Sequence, residues 1–167
     1  MKVTTLLITL LLAGCAGDKV LPQTVPASDT WNLAWSEEFD GELDLDVWTA
    51  EIGTGEERGL SGWGNDELQY YTGRSENVRT EDGHLVITAR QEDYEGSSYT
   101  SARLVTKDNK EVQYGRIEAR IKVPAGQGFW PAFWLLGSNL DSVGWPQCGE
   151  IDVMEARGQQ PSWIGGA

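Results

Sequence analysis

The sequence predicts an all-β fold, a jelly-roll β-sandwich made of two antiparallel sheets. Apolar and polar residues alternate with period two over many short segments, and polar turn residues separate these segments. No segment shows the apolar stripe of an amphipathic helix. Many short strands joined by polar turns are typical of sandwiches and jelly rolls.

The clearest strand is expected at residues 112–123, where charged residues alternate with Ile, Ala and Val. Such alternation is typical of an antiparallel strand with one buried and one solvated face. Shorter strands are expected at residues 33–39, 77–80, 84–90, 98–106, 130–136 and 150–155. Turns are expected between them, at residues 81–83, 93–96, 108–110 and 125–128.

The folded domain is expected to begin near Trp31 and to occupy residues 31–167. Its last residues, 161–167, show no pattern of a closing strand. A sheet that stopped there would expose an unpaired edge. We therefore expect this domain to be truncated at its C-terminal side.

The N-terminal segment carries the signature of an exported lipoprotein. Lys2 supplies a positive charge, and residues 6–13 form an apolar run too short to span a membrane as a mature helix. The run ends in Leu-Ala-Gly-Cys15, which resembles the lipobox of bacterial lipoproteins and implies that Cys15 is acylated and becomes the new N-terminus. An ordinary secretory peptide that happens to contain a cysteine is the alternative.

This reading divides the start of the chain into a signal peptide, residues 1–15, and a linker, residues 16–30. The linker lacks periodicity and holds two prolines. The expected location is the bacterial cell envelope, to which the exported protein is held through its lipid. If Cys15 carries lipid, Cys148 is left without a disulfide partner, and we expect it to be a buried or half-buried thiol.

The overall composition restricts the class of partner. The formal net charge of −13 would repel a phosphate backbone, so nucleic acid is excluded as a partner. Eight tryptophans in 167 residues are unusual, and tryptophans are often found lining a groove. These features suit a protein that acts on a neutral polymer.

Three acidic residues within six positions form the most informative cluster in the sequence: Glu150, Asp152 and Glu155. On a strand Glu150 and Asp152 share one face, but Glu155 has the opposite parity. One extra residue, a β-bulge around residues 153–154, would return Glu155 to the acidic face. The two glutamates could then approach the ~5–5.5 Å carboxyl separation of retaining glycosidases. A helix is the alternative, but it would place the two glutamates about 140° apart.

This cluster is similar to the E-x-D-x-x-E signature of glycoside hydrolase family 16, in its bulge-containing form. That form belongs to laminarinase-like, agarase-like and carrageenase-like members. The resemblance implies that Glu150 is the nucleophile and Glu155 the general acid/base, with Asp152 tuning the pair. Like-charge repulsion from Asp152, which lies between the two glutamates, would help to hold one proton on the cluster, and this is consistent with the tuning role.

Three further segments support the resemblance in the same order along the chain. Residues 63–71 look like the W-x-N-x-E-x-Q-x-Y stretch of endo-β-1,3-glucanases, residues 100–103 and 114–118 match the middle strands, and residues 128–136 match the aromatic strand. The resemblance covers residues 33–167 and implies a concanavalin-like jelly roll with a cleft across its concave sheet. It also implies further strands beyond the catalytic one, which agrees with truncation.

The resemblance and the residue types together suggest six substrate-binding residues: Asn65, Arg103, Trp130, Trp134, Trp63 and Glu67. Trp130 and Trp134 are four apart on a strand, so they should face the same side and offer flat platforms for sugar rings. Asn65 and Arg103 would donate hydrogen bonds to hydroxyl groups. The alternatives are core packing for the tryptophans, a turn for Asn65, a surface ion pair for Arg103, and orientation of Arg103 for Glu67.

The expected activity is therefore retaining hydrolysis of internal β-1,3-glucan linkages of the laminarin type. Two alternatives stay open: a family 16 hydrolase for agar, carrageenan or mixed-linkage glucan, and a sugar-binding jelly roll without catalysis. Residues 63–67 argue against the first, and three crowded acids argue against the second. No metal or cofactor is required, although some family members hold a structural calcium ion, for which no residues are assigned here. The expected partners are β-glucan and, through the lipid, a membrane.

Overall fold

The computed structural model describes residues 31–167, so the predicted signal peptide, linker and Cys15 lie outside the described residues. Within them the chain is almost entirely β. The strands are β1 (Thr49–Glu51), β2 (Tyr70–Tyr71), β3 (Val78–Glu81), β4 (His84–Ile87), β5 (Arg90–Tyr94), β6 (Ser97–Ser101), β7 (Arg103–Val105), β8 (Ala132–Leu136), β9 (Glu150–Ala156) and β10 (Ile164–Gly165). The prediction of an all-β chain is confirmed.

The described helices are short. Two 3-10 turns lie at Glu56–Arg58 and Ser61–Gly64, and one α-helical turn, α1, lies at Leu140–Val143. No sequence pattern indicates α1, because this helix is too short to produce a helical periodicity. In residues 31–167 we find no helix with the length and apolar character needed to cross a bilayer.

The strands form four hydrogen-bonded sheets in the described residues. One has the order β10-β9-β8 and is antiparallel throughout. A second has the order β2-β6-β5, in which β5 and β6 are antiparallel while β2 and β6 are parallel. The other two are the antiparallel pairs β3-β4 and β1-β7. The β10-β9-β8 sheet carries the acidic cluster.

Two hairpins follow the turn chemistry of the sequence. The β3–β4 loop is Asp82-Gly83, with φ of 50° and 70°, and the β5–β6 loop is Glu95-Gly96, with φ of 47° and 85°. Positive φ at both loop residues is typical of the type I′ turn, whose twist matches the flanking strands. The predicted turns at residues 81–83 and 93–96 are confirmed.

Asn77 and Thr100 anchor the second sheet from inside, since neither side chain is exposed. Asn77 Nδ2 donates to Thr100 Oγ1 at 2.9 Å and to the Thr88 carbonyl at 3.0 Å, and Asn77 Oδ1 accepts from the Thr72 hydroxyl. Every side-chain polar atom of Asn77 is therefore satisfied inside the protein. This network fixes the end of β6, two residues before the start of β7 at Arg103.

Two predicted strands are wrong. Residues 33–39 form no strand, and Phe39 has a φ of 57°, which breaks an extended backbone. Residues 112–123 also form no strand, and Gly115 has a φ of 145°. Alternation of apolar and polar residues indicates only which side chains prefer to be buried. A strand also needs a neighbouring strand with which its backbone can form hydrogen bonds. Residues 112–123 form no strand pairing with any other described segment.

Candidate active site

The register between β8 and β9 determines which face carries each acid. Ala132 lies opposite Glu155 and Trp134 lies opposite Asp152, so Val153 is an extra residue without a partner on β8. Residues directly opposite in an antiparallel pair project to the same face. The predicted bulge is thus confirmed, and it returns Glu155 to the face that carries Asp152.

Glu150 lies on the same face, because it is opposite Leu136, two residues beyond Trp134. Glu150 is exposed, while Asp152 and Glu155 are partly buried. Ile151 lies between Glu150 and Asp152 on the strand and points to the other face, where it is 58% exposed. In residues 31–167 no element covers that side chain well enough to bury it.

Each glutamate of the cluster accepts a hydrogen bond from an indole. Trp130 Nε1 donates to Glu155 Oε1 at 2.7 Å, and Trp145 Nε1 donates to Glu150 Oε2 at 2.5 Å. These bonds restrict the carboxyl rotamers and leave the second oxygen of each carboxyl group for other partners. Trp145 was missed by the sequence analysis, and its position in the loop directly before β9 was the signal that could have identified it.

Asp152 lies between the two glutamates and has a perturbed acidity. Burial raises the pKa of its carboxyl group above the ordinary value of 3.8, and the charge of Glu150 and a hydrogen bond to it raise the pKa further. All three causes disfavour a second negative charge beside Glu150. The cluster therefore tends to keep one proton, as the crowding of acids in the sequence indicates.

Arg103 projects from the start of β7 into a cluster of aromatic rings. Its guanidinium carbon lies 4.6 Å from the ring centroid of Trp63 and 4.8 Å from that of Trp134, within the range of a cation–π interaction. Since Trp134 is opposite Asp152, these rings connect Arg103 to the acidic face of β9. The predicted residues Arg103 and Trp134 are thus brought together.

Glu51 on β1 holds this arginine in place. The carboxyl group of Glu51 is 7% exposed and forms ion pairs with both Arg103 and Arg58. Buried carboxylates are stable when charged partners and hydrogen bonds compensate them, as here. Glu51 was missed by the sequence analysis, since a contact between residues 52 positions apart leaves no local pattern.

Trp63 is a supporting residue rather than an open platform. It is 6% exposed, and its indole nitrogen donates to the Gly53 carbonyl at 3.2 Å. Arg58 and Arg103 both lie over its ring. Its visible effect is therefore to position Arg103.

Glu67 and Asn65 lie in a second polar group. Glu67 accepts hydrogen bonds of 2.6 Å from both Gln69 and the Tyr71 hydroxyl, and a longer one of 3.3 Å from exposed Asn65. Burial and the hydrogen bond to Glu67 raise the pKa of Tyr71 far above its ordinary value. Arg103 forms its ion pair with Glu51. The residue that orients Arg103 is therefore Glu51, and the alternative that named Glu67 for this role is wrong.

Other expectations concern cysteine and metals. Cys148 is free and half-buried, as expected for an unpaired thiol. In the part of the chain from residue 31 onward, no group of three or more His, Cys, Asp or Glu side chains is arranged to hold a metal ion. The calcium ion considered above stays without assigned residues.

Comparison with known proteins identifies the family. The family profile described as "Glycosyl hydrolases family 16" matches residues 65–166. The chain is 48% identical to the beta-glucanase of Rhodothermus marinus over 81% of its own length and 47% of that protein. It is 42% identical to the glucan endo-1,3-beta-glucosidase of Cryptopygus antarcticus over 93% of its length and 53% of that protein.

Solved structures give the same result. The endo-beta-1,3-glucanase from Pyrococcus furiosus is 48% identical and superposes with a TM-score of 0.74, over 81% of this chain and 54% of that one. The chain thus spans about half the length of these relatives. The likeness confirms the jelly-roll β-sandwich, and the chain belongs to glycosyl hydrolases family 16.

Proposed function

We propose that this chain is the part of a secreted retaining endo-β-1,3-glucanase that carries the catalytic strand. One observation carries the proposal: the bulge at Val153 places three carboxyl groups on one face of β9, and an indole donates to each of the two glutamates. A surface that only bound sugar would have no use for such crowding. The activities for which these relatives are named add the substrate class, a β-1,3-glucan.

In the proposed first step the carboxylate of Glu150 attacks the anomeric carbon. Glu155 donates its proton to the glycosidic oxygen, so the leaving sugar departs neutral and a glycosyl ester forms on Glu150. In the second step Glu155 takes a proton from water, which attacks the same carbon and releases the sugar with retained configuration. The two hydrogen bonds from indoles would hold the carboxyl groups in the orientations that both steps require.

Asp152 has a tuning role in this mechanism. Its raised pKa keeps a proton next to Glu150, and a protonated Asp152 can donate a hydrogen bond to the Glu150 carboxylate. When the Glu150 ester forms, that oxygen loses its negative charge and the bond weakens. Asp152 would therefore mainly stabilise the negative charge of the Glu150 carboxylate before the ester forms.

Binding would use the groups around the acids. Trp130 is 54% exposed, and Trp134 is partly buried on the same side of β8, so both are available as platforms for sugar rings. Arg103 and exposed Asn65 would donate to sugar hydroxyls. Trp63 and Glu67 would act through Arg103 and Asn65, which they contact.

The proposed location follows from the N-terminal residues alone. Cys15 would carry lipid and hold the exported protein to the bacterial cell envelope, with residues 16–30 as the tether. Hydrolysis by two carboxyl groups proceeds with protein side chains and water, so the mechanism uses no organic cofactor.

The experiment that tests the function is digestion of laminarin followed by proton NMR of the new reducing ends. A retaining enzyme releases the β anomer first, which then mutarotates, and Glu150→Gln should abolish the signal. Parallel digests of mixed-linkage glucan, agarose and carrageenan test the other family 16 substrates. Initial release of the α anomer would exclude retention, and laminarin binding without any new reducing ends would favour a binding protein.

A further inference from the structure

Glu51 is shared between two arginines in a way that limits how each of them binds it. Its Oε1 atom accepts a hydrogen bond from Arg58 Nη1, and its Oε2 atom accepts one of 2.5 Å from Arg103 Nε. A carboxylate and a guanidinium group frequently form a bidentate pair, in which two N–H groups of one arginine bind both oxygens. Each arginine here has one oxygen, so neither forms the bidentate pair.

The single bond to Glu51 leaves most N–H groups of Arg103 unused within the protein. A guanidinium group carries several donors, and in residues 31–167 only the Nε group of Arg103 donates a hydrogen bond. The side chain is 19% exposed, so part of the group can be reached from solvent. The N–H groups on the two Nη atoms are therefore the donors that Arg103 can offer to sugar hydroxyls.

Arg58 reaches Glu51 from a tightly folded loop. It is the last residue of the first 3-10 turn, and its amide donates to the Gly55 carbonyl at 3.0 Å. Gly55 has a φ of 84°, and a Cβ on it would lie 2.3 Å from the Leu60 carbonyl oxygen. Only glycine permits this conformation and this approach. The loop is therefore fixed by its own backbone, and it places the Arg58 side chain beside Glu51.

The Trp63 ring contacts both guanidinium groups. The Cζ atom of Arg58 lies 5.4 Å from the ring centroid, and the Cζ atom of Arg103 lies 4.6 Å from it. Two cations on one ring repel each other, and the Glu51 carboxylate, which is 7% exposed and bonded to both, compensates their charge. The four side chains therefore form one unit, in which the position of either arginine depends on the other.

Removal of Arg58 would change how Arg103 binds Glu51. The Oε1 atom of Glu51 would lose its partner, and an unsatisfied oxygen of a buried carboxylate costs free energy. Arg103 already binds the other oxygen, so an Nη atom of Arg103 is the nearest donor for Oε1. A second hydrogen bond would complete the bidentate pair. Arg103 would then use an Nη group on Glu51, and it would have fewer donors for a ligand.

We propose that Arg58 is a positioning residue for substrate binding: by occupying Glu51 Oε1, it prevents a bidentate Glu51–Arg103 pair and leaves the Nη atoms of Arg103 for sugar hydroxyls. The proposal rests on the proposed function, in which Arg103 donates to the glucan. The guanidinium carbon of Arg103 lies 4.8 Å from the ring centroid of Trp134, which is opposite Asp152. These donors therefore adjoin the acidic face of β9. Arg58 itself acts without touching the sugar.

The test measures the affinity for an oligosaccharide while hydrolysis is blocked. All proteins carry Glu150→Gln, and laminarihexaose is titrated into the full chain by calorimetry. The test variants are Arg58→Ala and Arg58→Met, of which the second keeps an extended side chain if the first does not fold. Arg58→Lys keeps a charged donor for Glu51. Arg79→Ala is the matched control, because Arg79 is also an exposed arginine and is paired with Glu81.

We expect Arg58→Ala and Arg58→Met to raise the dissociation constant roughly five- to tenfold, as for loss of one hydrogen bond. Arg58→Lys should restore most of the affinity, and Arg79→Ala should leave it unchanged. In an Arg103→Lys background the Arg58 variants should have no further effect, because a lysine cannot form the bidentate pair. Equal affinity of Arg58→Met and Arg79→Ala would overturn the proposal. An undiminished loss in the Arg103→Lys background would also overturn it, since Arg58 would then bind the sugar itself.

Failure of the proposed function has a different appearance. The unsubstituted protein would release no reducing ends from laminarin, and its Glu150→Gln variant would bind no laminarihexaose. NMR of protein with isotopically labelled arginine then decides the role of Arg58, because this measurement needs no ligand. A bidentate pair restricts rotation of the guanidinium group, so the Nη–H signals of Arg103 should be resolved in Arg58→Met and averaged in the unsubstituted protein. Identical Arg103 signals in these two proteins would overturn the proposal.

Discussion

Trp130 Nε1 donates a 2.7 Å hydrogen bond to Glu155 Oε1, although the two residues are 25 positions apart and lie on different segments. The bond joins the chain just before β8 to the residue that follows the bulge in β9. A ring on the substrate face is thereby attached to the proposed proton donor. The Trp130 side chain therefore holds the carboxyl group of Glu155, and its ring is also the proposed platform for a sugar.

Loss of this bond should lower activity without unfolding the protein. Trp130→Phe keeps an aromatic ring but removes the N–H group, and a hydrogen bond to a charged group contributes about 1.5–3 kcal/mol. We expect kcat/KM on laminarin to fall roughly 10- to 100-fold. Trp48→Phe is the matched control, because the buried Trp48 indole nitrogen has no hydrogen-bond partner among residues 31–167. Equal activity of both variants would show that the bond to Glu155 is unimportant.

Glu51 should contribute more to stability than any exposed acid. Glu51→Ala leaves two arginines without their shared carboxylate, and breaking a buried ion pair costs about 3–5 kcal/mol. Because Arg58 is 51% exposed, we expect the lower end of that range. Glu81→Ala is the control, since the Arg79–Glu81 pair is exposed and such pairs contribute about 0–1 kcal/mol. Urea unfolding measures both, and equal losses would contradict the assignment.

The raised pKa of Asp152 predicts the sign of a pH effect on stability. Between the ordinary value of 3.8 and the higher native pKa, the folded protein keeps a proton that the unfolded chain has released. The contribution of Asp152 to the free energy of unfolding is therefore greatest at low pH and is lost as pH rises through the native pKa. Asp152→Asn should remove this loss, so the variant should gain stability relative to the unsubstituted protein as pH rises.

Urea unfolding from pH 3 to pH 7 measures the effect. Asp93→Asn, an exposed residue on β5, provides the control for a change of net charge. Parallel pH curves for Asp152→Asn and the unsubstituted protein would contradict the raised pKa.

The bulge could be predicted from sequence because the expected chemistry requires the three acidic side chains to lie on one face of the strand. Three acids at positions 150, 152 and 155 share a face only if one extra residue is inserted, and the register shows Val153 as that residue. The hairpin turns were predictable for a similar local reason, since Asp-Gly and Glu-Gly adopt positive φ at both positions. In each case a few neighbouring residues contain all the information.

Long-range contacts were not predictable in this way. Alternation over residues 112–123 resembles a strand, but strand pairing depends on a partner segment that alternation does not specify. The contact of Arg103 with Glu51, and the bond of Trp145 to Glu150, depend on how loops and distant strands are placed. Sequence therefore identified the acids of the candidate site and Trp130, but not Glu51 and Trp145, which hold Arg103 and Glu150.

The N-terminal prediction is independent of the fold. Expression of the complete precursor in a bacterium with labelled palmitate should label the protein, because a lipobox cysteine is acylated after export. Cys15→Ser should abolish the label, and Cys148→Ser should retain it. A mature protein that begins at another residue and carries no lipid would contradict the lipobox.

The roles of Glu150 and Glu155 can be separated by the products that azide forms. Each alanine variant should lower kcat on laminarin by several orders of magnitude. Glu155→Ala should still react with an aryl laminaribioside, since a good leaving group needs little protonation. Azide should then replace water in the second step and give a product of retained configuration.

Glu150→Ala should behave in the opposite way. The space left by the carboxylate should admit azide on the face from which Glu150 attacks, so that direct displacement gives an inverted product. Proton NMR of the anomeric coupling distinguishes the two products. Asp152→Asn should be milder than either alanine variant, because the amide keeps a hydrogen-bonding group beside Glu150. If the two azide products were exchanged, the assignments of nucleophile and acid would have to be reversed. Near-normal activity in both variants would remove the cluster from the mechanism.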